Sequence, residues 1–249
     1  MIIPPTWSLP EGIRLRLGQS TYGRQRAIVE EGHLLLILHK PPGPNDVHRE
    51  GVLFWRKPDG EWQWSRGAGG AGALKRHVQS YAELETNLAK DYEKASGIGM
   101  LFDLVEALTP LTLAARNMHQ ALQTARESIK ADTFIVEVRD LAYEVDRNFE
   151  LLLEDVRNAI QSRTAREAEE QARLGKEALQ ASHRLNTLAA LFFPLTAIAS
   201  VFGMNLHHGI NERSILWFWL VFAFGIASGF AMKSWVLGKR GKKTVARKQ

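Results

Sequence analysis

The side chains that could meet a metal ion lie near the C-terminal end of this 249-residue chain. Asn205 closes the apolar stretch "FFPLTAIASVFGMN", and His207 and His208 follow it after one residue. Within the stretch, Thr196 and Ser200 are four residues apart and therefore share one face of a helix. Mg²⁺ gives up its water reluctantly, so hydroxyl and amide groups can select it through its hydration shell. If several such helices surround an axis, Asn205 forms a ring of amide oxygens suited to a hydrated cation.

Each of these groups also has a plainer interpretation. Helix–helix packing through small residues is the alternative for Thr196, Ser200 and the following Gly203. Glycine at this position also permits a helix end and a close approach of the backbone. The adjacent histidines, His207 and His208, are candidate Zn²⁺ ligands, although neighbouring residues rarely chelate one ion unaided.

Two apolar runs hold these residues in place. Residues 185–204 and 214–232 contain no charged side chain, and each run spans about 30 Å as a helix, close to the hydrocarbon thickness of a membrane. We therefore predict two transmembrane helices, at about 185–204 and 214–233, rather than two buried helices of a soluble domain. Trp217 and Trp219 are placed as interface anchors, so we expect the second helix to face lipid and the first to be the inner helix.

The distribution of charge predicts the orientation in the membrane. The seven basic residues that follow the second run, with no acidic residue among them, are Lys233, Lys239, Arg240, Lys242, Lys243, Arg247 and Lys248. By the positive-inside rule the tail and the N-terminal part are cytoplasmic and the connecting loop is outside. The expected location is a bacterial-type inner membrane. Topology and anionic lipid explain the basic tail more simply than nucleic acid does. We see no cleavable signal peptide, and the absence of cysteine excludes disulfides and Cys-ligated metals.

The residue pattern of the N-terminal part predicts a small β-rich module. Residues 13–18, "IRLRLG", alternate as a strand does, "HLLLILHK" is a short apolar run, and "GVLFWRKPDGEWQWS" has a Pro-Asp-Gly turn typical of a hairpin. For the four tryptophans of this part, core and sheet packing is favoured over ligand binding; they are Trp7, Trp55, Trp62 and Trp64. The stretch "RGAGGAG" lacks the context of a phosphate loop, so we interpret 66–72 as a flexible linker.

A helical pattern follows the linker. We predict one or two helices up to about residue 130, interrupted near "SGIG" and bent at Pro110. A long helix capped by Asp132 then continues into the membrane. Its acidic side chains are interpreted as a solvated face. The predicted regions are 1–72, 73–184 and 185–249.

One pattern resembles a known family. Pro194-Leu195-Thr196, then Phe202 and Gly203-Met204-Asn205, a short loop, a second apolar helix and a basic tail resemble the CorA family of divalent-cation channels. The resemblance implies a homopentameric funnel in which the long stalk helix continues into the pore. It implies an outer selectivity ring of Gly203, Met204 and Asn205, pore-lining Thr196 and Ser200, and a hydrophobic constriction of Leu185, Ala189 and Phe193. It further implies a basic collar at the inner mouth, formed by Lys233, Lys239, Arg240, Lys242 and Lys243.

The resemblance makes Mg²⁺ the expected transported ion, with Zn²⁺, Co²⁺ and Ni²⁺ as alternatives and no prosthetic group. Asn205 would meet the ion through hydration water. Zn²⁺ transport, as in the ZntB branch, is the alternative suggested by His207, His208 and the basic tail, and the sequence does not decide between the two ions. The N-terminal module is smaller than the family's funnel domain, which leaves a non-conducting assembly with a partner-binding module as a second hypothesis. An enzyme is not expected, because the sequence has no nucleophile–base arrangement and no His-Glu-x-x-His motif.

Overall fold

The computed structural model describes residues 3–18, 23–43, 46, 49–203 and 215–238. Five helices and four strands form in this part of the chain. In order they are α1 Glu11–Leu15, β1 Arg26–Glu30, β2 His33–His39, β3 Gly51–Arg56, β4 Trp62–Trp64, α2 Gly70–Lys94, α3 Ile98–Ser128, α4 Thr133–Gly203 and α5 Ile215–Gly238. The protein is therefore mostly helical with a small N-terminal sheet.

The four strands form an antiparallel meander in the order β1-β2-β3-β4. Leu36 pairs with Ala27 on one side and with Phe54 on the other, which sets the register of the three long strands. The predicted hairpin between β3 and β4 is confirmed. Its turn is closed by the Gly60 N–H, which donates to the Lys57 carbonyl at 3.0 Å, and Gly60 has a φ of +91°, a conformation that favours glycine.

Both faces of the sheet are buried because its strands carry apolar residues at consecutive positions. Leu34, Leu36 and Leu38 point into one core with α2, α3 and the first part of α4. Leu35 and Ile37 point into a second core, which the N-terminal segment and α1 cover. The second core also contains Trp7 and Trp55, with ring centroids 5.6 Å apart. The prediction that the tryptophans of this part pack in the core is confirmed for these two, which are buried, and for Trp62 and Trp64, which pack partly buried against the first core.

Two local predictions are wrong. The alternating residues 13–18 form no strand: Glu11–Leu15 is a short helix after Pro10, and its turn buries Ile13 while Leu15 remains 80% exposed. The prediction of a flexible glycine-rich linker at 66–72 is also partly wrong, since Gly70–Gly72 are the first residues of α2. Gly70 is buried, and a Cβ there would lie 2.4 Å from the Trp62 carbonyl carbon, so glycine is needed for close packing.

The helical predictions agree better with the structure. The break near residues 96–99 separates α2 from α3, and Pro110 lies inside α3. The cap predicted at Asp132 is confirmed, because its Oδ1 accepts the N–H groups of Phe134 at 2.9 Å and Ile135 at 3.3 Å.

The chain divides into two compact units, residues 1–165 and 166–249. In the first unit the sheet shares one core with the helices that follow it. The sheet is thus one layer of a larger unit that also contains α2, α3 and the first part of α4. Within this unit, the Arg163 guanidinium of α4 donates to the Ala95 carbonyl at the end of α2, at 2.8 Å.

Two helices of the described chain are long and apolar enough to cross a membrane by length and composition, α3 and residues 133–201 of α4. α3 contributes a buried face, from Leu101 to Ala125, to the core of the protein, whereas the apolar part of α4 has no buried residue. The apolar residues of α5 span Ile215–Ala231, a shorter segment.

Candidate functional site

The predicted ion-path residues of α4 lie on one face of the helix. Each residue of an α-helix turns by about 100° around its axis, so Leu185, Ala189, Phe193, Thr196 and Ser200 fall within about 80° of one another. All five are exposed in the single chain. We call this set the exposed face of α4.

The apolar members of the exposed face are unusually accessible for their size. The Leu185 side chain is 67% exposed and the Phe193 side chain is 72% exposed. Large apolar groups with this much accessible surface favour contact with lipid or with another protein surface. The role of Leu185 and Phe193 in a hydrophobic constriction of the pore stays a prediction.

The opposite face of α4 packs against α5. Leu191, Leu195 and Ile198 are half-buried, and they lie on the far side of the helix from the exposed face. Gly225 and Gly229 of α5 are buried against them. A Cβ at Gly225 would lie 3.0 Å from the Leu195 Cδ1, and one at Gly229 would lie 2.7 Å from the Leu191 carbonyl oxygen.

This glycine pair was missed by reasoning from the sequence. The signal is present as "GIASG", in which glycines four residues apart mark a face on which two helix backbones can approach closely.

Thr196 uses its hydroxyl within its own helix. The Oγ1 atom donates to the carbonyl of Phe192 or Phe193, both at 3.0 Å. Pro194 lies in the same turn of α4; its missing N–H leaves the carbonyl of Ala190 without a helical partner, and that carbonyl is not one that the Thr196 hydroxyl contacts. With its proton engaged, the hydroxyl oxygen presents its lone pairs outward, as an acceptor of hydrogen bonds.

Two of the remaining predicted site residues, Gly203 and Lys233, lie in the described part of the chain. Gly203 is the last residue of α4, and a Cβ there would meet no atom within 4 Å. Lys233 lies in α5 and is half-buried. The predicted residues that fall outside the described part of the chain are Met204, Asn205, His207, His208, Lys239, Arg240, Lys242 and Lys243. Within the described ranges, no three His, Asp or Glu side chains converge to hold a metal ion.

The first unit contains a buried polar cluster where the sheet meets α2. The Tyr81 hydroxyl donates to the His39 carbonyl at 2.9 Å, and the His77 and Tyr81 rings pack edge to face with centroids 5.7 Å apart. Burial lowers the pKa of His77 to about 4 and raises the pKa of Tyr81. Both side chains are therefore neutral at physiological pH, and the cluster is a structural part of the core.

Comparison with known proteins gives one family match. The model of the family described as "CorA-like Mg2+ transporter protein" matches residues 77–242. The comparison with curated proteins gave no match.

The solved structures that are similar to this chain include the following two. One is the full-length CmaX protein, at 14% identity over 94% of this chain and 82% of that one, with a TM-score of 0.48. The other is the CorA magnesium transporter from Methanocaldococcus jannaschii, at 16% identity over 88% and 80%, with a TM-score of 0.41. The family assignment rests on the match to residues 77–242.

Proposed function

Because this chain belongs to the family of CorA-like Mg²⁺ transporter proteins, we propose that it conducts divalent metal cations, Mg²⁺ first among them, across the inner membrane. In this proposal the pore is homopentameric and lined by α4. Asn205 contributes to a selectivity ring at the outer mouth, together with Gly203 and Met204.

The observation that supports the proposal most is the division of α4 into two faces. The leucines and the isoleucine of one face pack against the glycines of α5. The residues with pore-like chemistry share the exposed face on the other side. An inner helix of a pore needs this division, because one side must contact the outer helix while the other side surrounds the ion path.

The chemistry of Thr196 fits passage of a hydrated cation. Its hydroxyl proton is engaged by a backbone carbonyl of α4, so its oxygen would accept hydrogen bonds from the water around the ion. Several copies around an axis would form a ring of such oxygens, and Ser200, one turn further along, would add a second ring. Weak contacts of this kind allow an ion to leave as well as to bind.

The apolar residues of the exposed face would provide the gate. Rings of Leu185 and Phe193 would exclude water from the narrow part of the pore, and a dewetted segment blocks a hydrated ion without a bound ligand. When the pore is wet, inward movement of a divalent cation gains about 4–5 kcal/mol at a membrane potential of 100 mV. No other energy source is then needed.

The test is divalent-ion flux into liposomes that contain the purified full chain. We expect Mg²⁺ flux for the native chain and its loss in Asn205→Ala. Asn211→Ala is the matched control, because it removes the same amide from the same connecting segment. Native mass spectrometry of each preparation should give five copies.

Three results would change the conclusion. Zn²⁺ flux without Mg²⁺ flux would assign the chain to zinc transport and direct attention to His207 and His208. Equal loss of flux in Asn205→Ala and Asn211→Ala would refute a specific ring at Asn205. An intact oligomer that carries neither ion would refute conduction and favour a non-conducting, partner-binding assembly.

A further inference from the structure

The glycine pair of α5 touches α4 in two different ways. Gly229 faces backbone: a Cβ there would lie 2.7 Å from the Leu191 carbonyl oxygen and 3.3 Å from the Leu191 Cα. Gly225 faces a side chain, because the nearest atom to its Cβ position is the Leu195 Cδ1 at 3.0 Å. Real Cβ atoms essentially never come within 3.0 Å of another heavy atom, so the contact at Gly229 admits no side chain without a shift of one helix.

We propose that Gly225 and Gly229 are positioning residues that set the rotation of α4 about its own axis, and hence which residues face the ion path. The inference rests on the proposed function. A rotation of α4 by one residue amounts to about 100°, enough to replace Thr196 and Ser200 by their neighbours on the helix. The two close contacts lie one helical turn apart on the same side of α4, so they select the side that packs and also fix the crossing angle, because a helix can pivot about a single point.

The internal hydrogen bond of α5 supports a rigid contact surface. Ser228 lies between the two glycines, and its hydroxyl donates to the Gly225 carbonyl at 2.8 Å. The polar group of this turn is therefore satisfied within α5. At Gly225 and Gly229 α5 presents backbone without a side chain to α4, which fits the ridge formed by Leu191 and Leu195.

The experiment uses the natural absence of cysteine, which makes every introduced thiol a unique reporter. Thr196→Cys reports on the exposed face of α4, and Ile198→Cys reports on the face against α5. The measured quantity is the ratio of their reaction rates with a charged, water-soluble methanethiosulfonate in the full-length oligomer. In the native background we expect Thr196→Cys to react faster by roughly tenfold or more, since packed side chains leave no room for the reagent.

Valine is then introduced at each glycine. We expect Gly229→Val and Gly225→Val to lower this ratio by roughly tenfold, since overpacking displaces one helix against the other. Ala227→Val is the matched control: Ala227 lies between the two glycines but is exposed, and its substitution should leave both the ratio and the Mg²⁺ flux unchanged.

A rescue experiment separates positioning from a general loss of folding. Leu195→Ala removes the Cδ1 atom that faces Gly225, so Gly225→Val combined with Leu195→Ala should regain the native ratio. Leu191→Ala leaves the carbonyl oxygen that faces Gly229, so Gly229→Val combined with Leu191→Ala should remain altered. If Gly229→Val fails to form the oligomer, the comparison of Gly225→Val with the Gly225→Val and Leu195→Ala double variant tests the positioning role by itself.

The results distinguish this inference from the function on which it rests. A native chain that conducts Mg²⁺, with a reactivity ratio that neither valine moves, would overturn the positioning role and leave conduction intact. A native chain that carries no ion, with a ratio that shifts and is rescued as described, would refute conduction and support the packing role of the two glycines. Rescue at Gly229 by Leu191→Ala would contradict the backbone contact.

Discussion

The Nε atom of Arg56 in β3 lies 2.6 Å from the Oδ2 atom of Asp132, and this carboxylate also caps α4. Both side chains are largely buried, at 13% and 12% exposed. Trp62 of β4 packs edge to face with Phe134 in the first turn of α4, with ring centroids 5.7 Å apart. The edge of the sheet is therefore joined to the beginning of the longest helix by an ion pair and an aromatic contact.

The first prediction concerns this connection. Asp132→Ala removes both the helix cap and the partner of a buried guanidinium, so we expect the free energy of unfolding to fall by about 3 kcal/mol. Asp132→Asn keeps an oxygen that can cap the helix and loses the charge, so its effect should be smaller. The measurement is thermal and denaturant unfolding of the full chain in detergent.

The control for the first prediction is another ion pair to α4. Lys75 and Glu137 are 2.6 Å apart but are 44% and 58% exposed, and exposed pairs contribute little. Glu137→Gln should be nearly neutral. If it destabilises the protein as much as Asp132→Asn does, burial is not what gives the Arg56–Asp132 pair its importance.

The second prediction concerns Thr196. Thr196→Val keeps the shape of the side chain and removes its oxygen, so we expect Mg²⁺ flux in liposomes to fall by roughly tenfold as one ring of acceptors is lost. Thr187→Val is the matched control. The Thr187 hydroxyl also donates to a carbonyl of its own helix, that of His183 at 2.8 Å, but Thr187 lies on the side of α4 that packs against α5. Equal loss of flux in both variants would point to a helix-wide effect and contradict a specific role for Thr196.

The third prediction concerns pH. The pKa of His77 is lowered from 6.5 to about 4, mainly because the ring is buried. The unfolded chain therefore binds a proton between these pH values that the folded chain does not. The contribution of neutral His77 to the free energy of unfolding is fully present above pH 6.5. It is lost as the pH falls toward 4, by roughly 1.4 kcal/mol per pH unit. Burial lowers the pKa of His39 as well, which adds to the loss in the same direction.

Urea unfolding of the full chain at several pH values between 7 and 4 measures this effect. His77→Leu should reduce the slope of unfolding free energy against pH in this range. His183→Leu is the control, since His183 lies on an exposed part of α4. An unchanged slope in His77→Leu would mean that other groups, carboxylates above all, account for the acid sensitivity.

The fourth prediction concerns orientation in the membrane. The basic tail predicts that it and the N-terminal unit lie in the cytoplasm, with the segment between the two apolar runs outside. In intact cells, a membrane-impermeant maleimide should label Ile210→Cys and leave Ala246→Cys unlabelled until the cells are opened. The reverse pattern would invert the topology and the direction assigned to the electrical driving force.

Several structural features of this protein can be predicted from short stretches of its sequence. The start of α4 at Thr133 follows from Asp132, because a cap is a contact between a side chain and the next few N–H groups. The hairpin after β3 follows from Pro58-Asp59-Gly60, because a turn, like a cap, is formed by residues that are adjacent in the chain. The common face of Thr196 and Ser200 follows from the helical period alone, and the family follows from a motif whose residues are close together in the chain.

Which surfaces of these elements meet could not be predicted from the sequence. A helical period shows that Leu191 and Thr196 lie on different sides of α4, but it does not show which side packs against α5. That choice depends on Gly225 and Gly229, whose missing side chains let the two backbones approach. Likewise, the strands of the sheet are apolar at consecutive positions, and only the folded chain shows α1 on one face and the long helices on the other. Periodicity can be read from a single helix or strand. Packing depends on the side chains of two elements that are distant in the sequence, so it is seen only in the folded chain.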